Sequence, residues 1–194
     1  MAKSITETVH VDGHGIARAR DAALIVGASL FVALCAHITI PLMPLTPVPL
    51  TAQNFAVLLV GLLLGSRRGF AAMMLYLLEG AAGLPVFNPS VLGLHGIAQL
   101  FGPTGGFLVV YPLVAFVAGY VFERGAKNFV RATIAGILAE ILLFVGGLAW
   151  LYALTHSLAK AAYLGLYWFI AAEVIKVMFA AAIASRWARR AKAQ

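Results

Sequence analysis

A glutamate and a lysine stand three residues apart in FIAAEVIKVM, residues 169–178, with only apolar side chains between and around them. On a helix, Glu173 and Lys176 share one face, and the pair is neutral as a unit while its carboxylate and ammonium keep hydrogen-bonding capacity for a polar ligand. On a water-exposed helix it would be an ordinary surface ion pair, and inside a bundle it could be an inter-helix clamp. Two more acidic residues lie within apolar runs. Glu79 precedes GAAG and could reach an interface; Glu140, in GILAEILLFVGG, has no partner close in sequence and either packs as a neutral acid or lines a polar cavity.

Amides and a hydroxyl extend the set. Gln53 and Asn54 follow IPLMPLTPVPLTA, and two amides at the mouth of a helix offer donors and acceptors to a ligand, or serve only the helix start. In FGPTGGFLVVYP, residues 101–112, a turn at Gly102–Pro103 leads to Thr104, Gly105, Gly106 and Phe107. Glycines there allow a backbone to come close and a helix N-terminus offers free N–H groups, although a tight turn needs no ligand. His37 and His95 show no zinc-site spacing and read as solvated or hydrogen-bonded. Cys35, the single cysteine, cannot form an internal disulfide and reads as a small core residue.

The solvent decides between these readings. The 194 residues are 62% hydrophobic and 11% charged, with a mean hydropathy of +0.96. No ordinary soluble domain of this length has interior enough for that much apolar surface, so the surrounding solvent is lipid. The net charge of +7 comes from short basic clusters between apolar runs, without aromatic interleaving, which excludes nucleic acid as the expected partner.

Six apolar spans are expected, at about 21–38, 51–66, 69–83, 105–122, 130–154 and 162–185. The first is too long, and follows too much polar sequence, for a cleaved signal peptide. EGAAGLPVFNPS stops the third span, and the irregular backbone after it survives at membrane depth only beside a cavity, expected near residues 84–104. The four prolines of residues 40–49 favour extended backbone until Thr51. Twelve of the fourteen Lys and Arg fall in segments that are cytoplasmic if the N-terminus is inside; Lys160 is outside and Lys176 is within a span. This asymmetry predicts an N-in, C-in chain with an even number of spans, the uncharged loops 39–50 and 84–104 both facing outward. Residues 1–20 are then a cytoplasmic tail, loosely ordered over 1–17, residues 21–188 a six-helix transmembrane domain, and residues 189–194 a basic cytoplasmic tail.

PVPLTAQN, YLLEGAAGLPVF, FGPTGGF, VGGLAWL and EVIK occur in this order and at a spacing that resembles the BioY family, biotin-specific S components of energy-coupling-factor (ECF) transporters, over about residues 22–190. The resemblance implies an all-α, six-helix S-component fold with biotin in an outward-facing cavity under the first and third loops. It implies a prokaryotic cytoplasmic membrane and, as partners, a membrane coupling (T) protein and two cytoplasmic ATPases, with some family members proposed to act alone. Gln53 matches the family's glutamine and Lys176 its lysine, while Glu173 stands where aspartate is usual. Asn88, Thr104, Gly106 and Phe107 complete the expected ligand set, with no metal and no cofactor, ATP acting only through partner subunits. AAE replaces the usual PGD, so the last span is expected to run without a break; NPSVLGLHGIAQL replaces a glycine-rich loop, Phe107 a tyrosine, and Glu79 an apolar residue.

Other classes are weighed against this one. The chain has no GxxxxGK[ST] loop and no nucleophile spaced to a base, so neither ATP hydrolysis nor intramembrane catalysis is expected. An S component for a different vitamin, an ion-coupled carrier using Glu140, and an assembly subunit binding no small ligand stay open, as does a homo-oligomer. Small residues at 19, 23 and 27 would let another helix approach, or would pack within the bundle.

Overall fold

The computed structural model describes residues 13–192. The elements are α1 (Gly13–Ala36), a strand pair β1 (Thr39–Ile40) and β2 (Leu50–Thr51), α2 (Gln53–Leu64), α3 (Ser66–Ala81), α4 (Ile97–Leu100), α5 (Gly105–Glu123), α6 (Phe129–Thr155), α7 (Leu158–Gly165) and α8 (Ile170–Lys192). By length and apolarity α1, α5 and α6 can each cross a membrane, and α7 with α8 makes a fourth crossing if that pair, bent by 51°, is one span. Large apolar side chains, Leu34, Leu78, Val109, Ile141, Val174 and Phe179 among them, lie exposed on the outside of the bundle, as lipid solvent requires.

Several expected boundaries move. Residues 13–20 of the expected tail are already helical, and residues 1–12 lie outside the described residues. At the other end α8 continues through Arg189 and Arg190, so the basic segment up to residue 192 is helix, placed where cationic side chains favour a helix C-terminus. The last span is not continuous. α7 stops at Gly165 and α8 starts at Ile170, so replacing PGD by AAE does not remove the break. Packing supplies it: a Cβ on Gly165 would stand 2.4 Å from Leu151 Cδ1, so this turn presses directly on α6.

Helix α5 is the centre, packed against α2, α3 and α6. Lipid tails are as apolar as leucine, so association depends on close fit, which small residues provide. A Cβ on Gly61 of α2 would come within 2.4 Å of the Ala115 carbonyl oxygen, and one on Gly119 of α5 within 2.4 Å of the Ser66 nitrogen. Between α2 and α3 only Gly65 intervenes, at φ +83°, a left-handed conformation that glycine adopts without penalty. Glu123 at the end of α5 clamps that turn, accepting from the Ser66 backbone N–H at 3.1 Å and from its hydroxyl at 2.5 Å. At the other end of the bundle Ser29 of α1 donates to Glu79 of α3. Glu79 therefore joins two helices.

Above α2 the proline-rich loop is tied at both ends. β1 and β2 pair antiparallel, Thr39 opposite Thr51, and the Thr46 hydroxyl donates to the Leu164 carbonyl of α7 at 2.6 Å while accepting from the Val48 N–H at 3.0 Å. Substituting Gly119 by leucine forces α5 away from the α2–α3 turn. Overpacking of this kind costs about 1–3 kcal/mol or more, read as a lowered melting temperature of the purified chain in detergent.

Candidate functional site

Six of the seven expected site residues line one open pocket. Gln53, Asn88, Thr104, Phe107, Glu173 and Lys176 surround a free space of about 500 Å³, mouth included, beneath Val48 and Pro49 of the proline-rich loop. Gly106 is the exception: it is buried where α5 crosses α6, and a Cβ there would stand 2.2 Å from that of Trp150. Its place is helix packing, and the neighbouring turn is anchored by the Trp150 indole N–H donating to the Gly102 carbonyl at 2.9 Å.

Each polar lining residue is positioned by a different element. Gln53, the first residue of α2, is 1% exposed and donates through Nε2 to the Tyr76 hydroxyl at 2.8 Å; that hydroxyl donates to the Val86 carbonyl at 2.9 Å. One N–H of the amide is thereby engaged, and the carbonyl oxygen remains for an incoming donor. Asn88 belongs to the irregular segment after α3, and its backbone carbonyl accepts from buried Gln99 of α4 at 2.8 Å. The expected cavity beside this segment is present, and short α4 braces its wall.

The floor is a network built on Asn54. Its Nδ2 donates to Glu140 Oε1 at 2.5 Å and to Glu173 Oε2 at 2.7 Å, and Lys176 Nζ donates to Glu173 Oε1 at 2.7 Å. One amide thus bridges carboxylates from α6 and α8. Glu140, without a partner near it in sequence, finds one across the bundle, 86 residues away along the chain. Asn54, Glu140 and Glu173 are each at most 6% exposed, whereas the Lys176 side chain keeps 15% of its surface. The break before α8 places Glu173 in that helix's first turn, where the dipole favours a carboxylate, and Lys176 one turn further on.

Aromatic rings form the apolar walls: Phe107 and Tyr111 from α5, Phe144 from α6, and Phe169 from the α7–α8 break. The Phe107 ring lies over glycines, since a Cβ on Gly147 would stand 2.1 Å from Phe107 Cε1 and one on Gly165 at 3.2 Å from its Cζ. Tyr111, Phe144 and Phe169 were not among the expected site residues. Apolar runs hide such rings; only their facing the same space singles them out. His37 and His95 lie together at a separate hollow beside the segment between α3 and α4, and among the described residues no cluster of three or more His, Cys, Asp or Glu could hold a metal. Cys35 is buried, as expected of a small core residue.

A pocket of this kind suits a neutral or singly charged small molecule with donors and acceptors at one end and an apolar body. Removing the bridging amide as Asn54→Leu leaves two buried carboxylates without their donor. The expected cost is about 3 kcal/mol or more, seen as a large drop in melting temperature, with Asn54→Gln falling between wild type and leucine.

Comparison with known proteins bears on this geometry. A family model described as the BioY family matches residues 5–193. The "Probable biotin transporter BioY" of Pyrococcus horikoshii is 34% identical over 169 residues, 87% of this chain and 96% of its own length. The "Biotin transporter BioY" of Thermotoga maritima is 36% identical over 163 residues, 84% and 94% of the two chains. That of Rhizobium etli is 37% identical over 143 residues, 70% and 75%. Among solved structures, the crystal structure of the S-component for biotin from an ECF-type ABC transporter matches with a TM-score of 0.79 at 22% identity, over 90% of this chain and 93% of that one. At that identity the likeness establishes the fold. With the family model covering nearly its whole length and relatives above 30% identity along most of it, the chain belongs to the BioY family.

Proposed function

We propose that this chain is a membrane-embedded S component that captures biotin from outside the cell for uptake. The observation that carries the reading is the single pocket in which the residues matching the family's motifs, contributed by α2, the 84–104 segment, α5 and α8, face one another. Biotin has a ureido ring with two N–H donors and a carbonyl, a thioether ring and an alkyl chain ending in a carboxylate. The ureido end belongs at the floor, where Glu173 accepts from N–H, Lys176 donates to the carbonyl oxygen, and the Gln53 carbonyl is a further acceptor. Phe107, Tyr111, Phe144 and Phe169 then enclose the thioether ring and the chain, with Asn88 and Thr104 nearer the opening as polar contacts. Each of the two floor groups already holds the other at 2.7 Å, so a ligand meets a preorganised acceptor and donor.

The same reading places six helices across the prokaryotic cytoplasmic membrane, α7 and α8 counting as one broken span and the short α2 and α3 as two, with both termini cytoplasmic. Short helices at membrane depth are tolerated where neighbouring protein satisfies their ends, as Glu123 does at the α2–α3 turn. The chain carries no ATP-binding loop, so energised uptake draws on a membrane coupling protein and two cytoplasmic ATPases. No catalytic role is proposed.

Calorimetry of the purified chain, prepared without avidin, tests the ligand. Biotin binds the wild type tightly, and Lys176→Ala or Glu173→Ala weakens it at least about 100-fold, as expected when one member of a buried charge-assisted set is removed. A folded wild type that does not bind biotin refutes the reading. Orientation is tested separately by labelling single cysteines on a Cys35→Ser background: a cysteine at position 93 reacts with an impermeant maleimide in intact cells, and one at position 125 reacts only after permeabilisation.

A further inference from the structure

Glu140 does not line the ligand pocket, yet it shares the Asn54 amide with Glu173. The described part of this cluster contains two carboxylates and one ammonium, so one negative charge is unmatched in the lipid-embedded part of the bundle. Two of its acceptor atoms, Glu140 Oε2 and Asn54 Oδ1, are buried and have no hydrogen-bond partner. Both belong to side chains more than nine-tenths buried, and they are neighbours across one hydrogen bond. An isolated ionised carboxylate and an orphaned amide oxygen are each expensive away from water. A single positive charge placed on these oxygens answers both.

We propose that Glu140 and Asn54 form a site for one monovalent cation, supplied as a sodium ion or as a proton, directly below the ligand pocket. A divalent ion would reverse the charge imbalance instead of cancelling it. The ligand pocket adjoins the site through Asn54 and Glu173, which line it. On the other side lies the α6–α8 groove, which Glu140 and Glu173 also line; its walls are otherwise mostly apolar, Ile137, Ile141, Val174 and Met178 among them, and offer an ion little hydration. The titratable and charged groups facing Glu140 are Glu173 and Lys176 from α8 and Tyr111 from α5. Gln53 and Asn54 of α2 are neutral, and Lys160 and Tyr163 of α7 are exposed. Because Asn54 lines the ligand pocket and donates to Glu173 as well as to Glu140, cation and ligand occupancy are linked. The cation site itself does not depend on the ligand's identity.

The test uses the full chain in detergent without any ligand, comparing wild type, Glu140→Gln and Glu140→Asp by melting temperature. One arm replaces choline by sodium at fixed ionic strength and pH 8; the other lowers the pH from 8 to 5.5 in choline alone. The wild type rises by roughly 3–6 °C in at least one arm. A rise in the first identifies sodium and a rise in the second a proton. Glu140→Gln loses that response and Glu140→Asp keeps it with a displaced midpoint. A wild type flat in both arms, or an undiminished response in Glu140→Gln, overturns the proposal. Should Glu140→Gln not fold, an unshifted midpoint in Glu140→Asp overturns it and a displaced one supports it.

Discussion

Charge in a lipid-solvated bundle has to be answered by protein, and in this chain the answer converges on the Asn54 amide. It gives one N–H to a carboxylate of α6 and the other to a carboxylate of α8, which in turn holds the ammonium of Lys176. In water each of these contacts would compete with solvent and be worth little; inside the bundle the alternative is an unpaired ion. The network therefore constrains three helices at once. The start of α2, the middle of α6 and the first turn of α8 must meet at one depth.

That meeting requires the backbone to be broken where it is. A straight last helix would carry Glu173 past the pocket floor as a mid-helix residue. The interruption at 166–169 instead opens a helix N-terminus there, giving Glu173 the favourable end of the dipole and turning Phe169 into the wall. The interruption is held in place by fit. Gly165 lies against Leu151, and the proline-rich loop reaches α7 through Thr46 and the Leu164 carbonyl. The loop above the pocket and the helix break beside it are one mechanical unit.

Close packing does the rest. Gly61, Gly119 and Gly106 each stand where any side chain would collide with the neighbouring helix, and Gly147 leaves the space that the Phe107 ring occupies. With no hydrophobic drive between helices in lipid, such contacts decide which faces meet. α5, touching α2, α3 and α6, is the post on which the two halves of the pocket are mounted.

Much of this was legible in the residues. Composition alone specified lipid as solvent, because burial of so much apolar surface has no other solution at this length. Glu173 and Lys176 declared themselves as a pair by helical spacing, Gln53 and Thr104 came from motifs whose order the family shares, and Asn88 and Phe107 stand at positions where this chain departs from the family's pattern. Local spacing could not show that Asn54 is the bridge or that Glu140 has a partner, since both contacts span more than eighty residues. Nor could it show that Gly106 serves packing, that the last span breaks despite lacking PGD, or that Tyr111, Phe144 and Phe169 face one space. Periodicity reports which residues share a face of their own helix. Which face meets which is set by the fit of side chains across helices, and that exists only in the folded bundle.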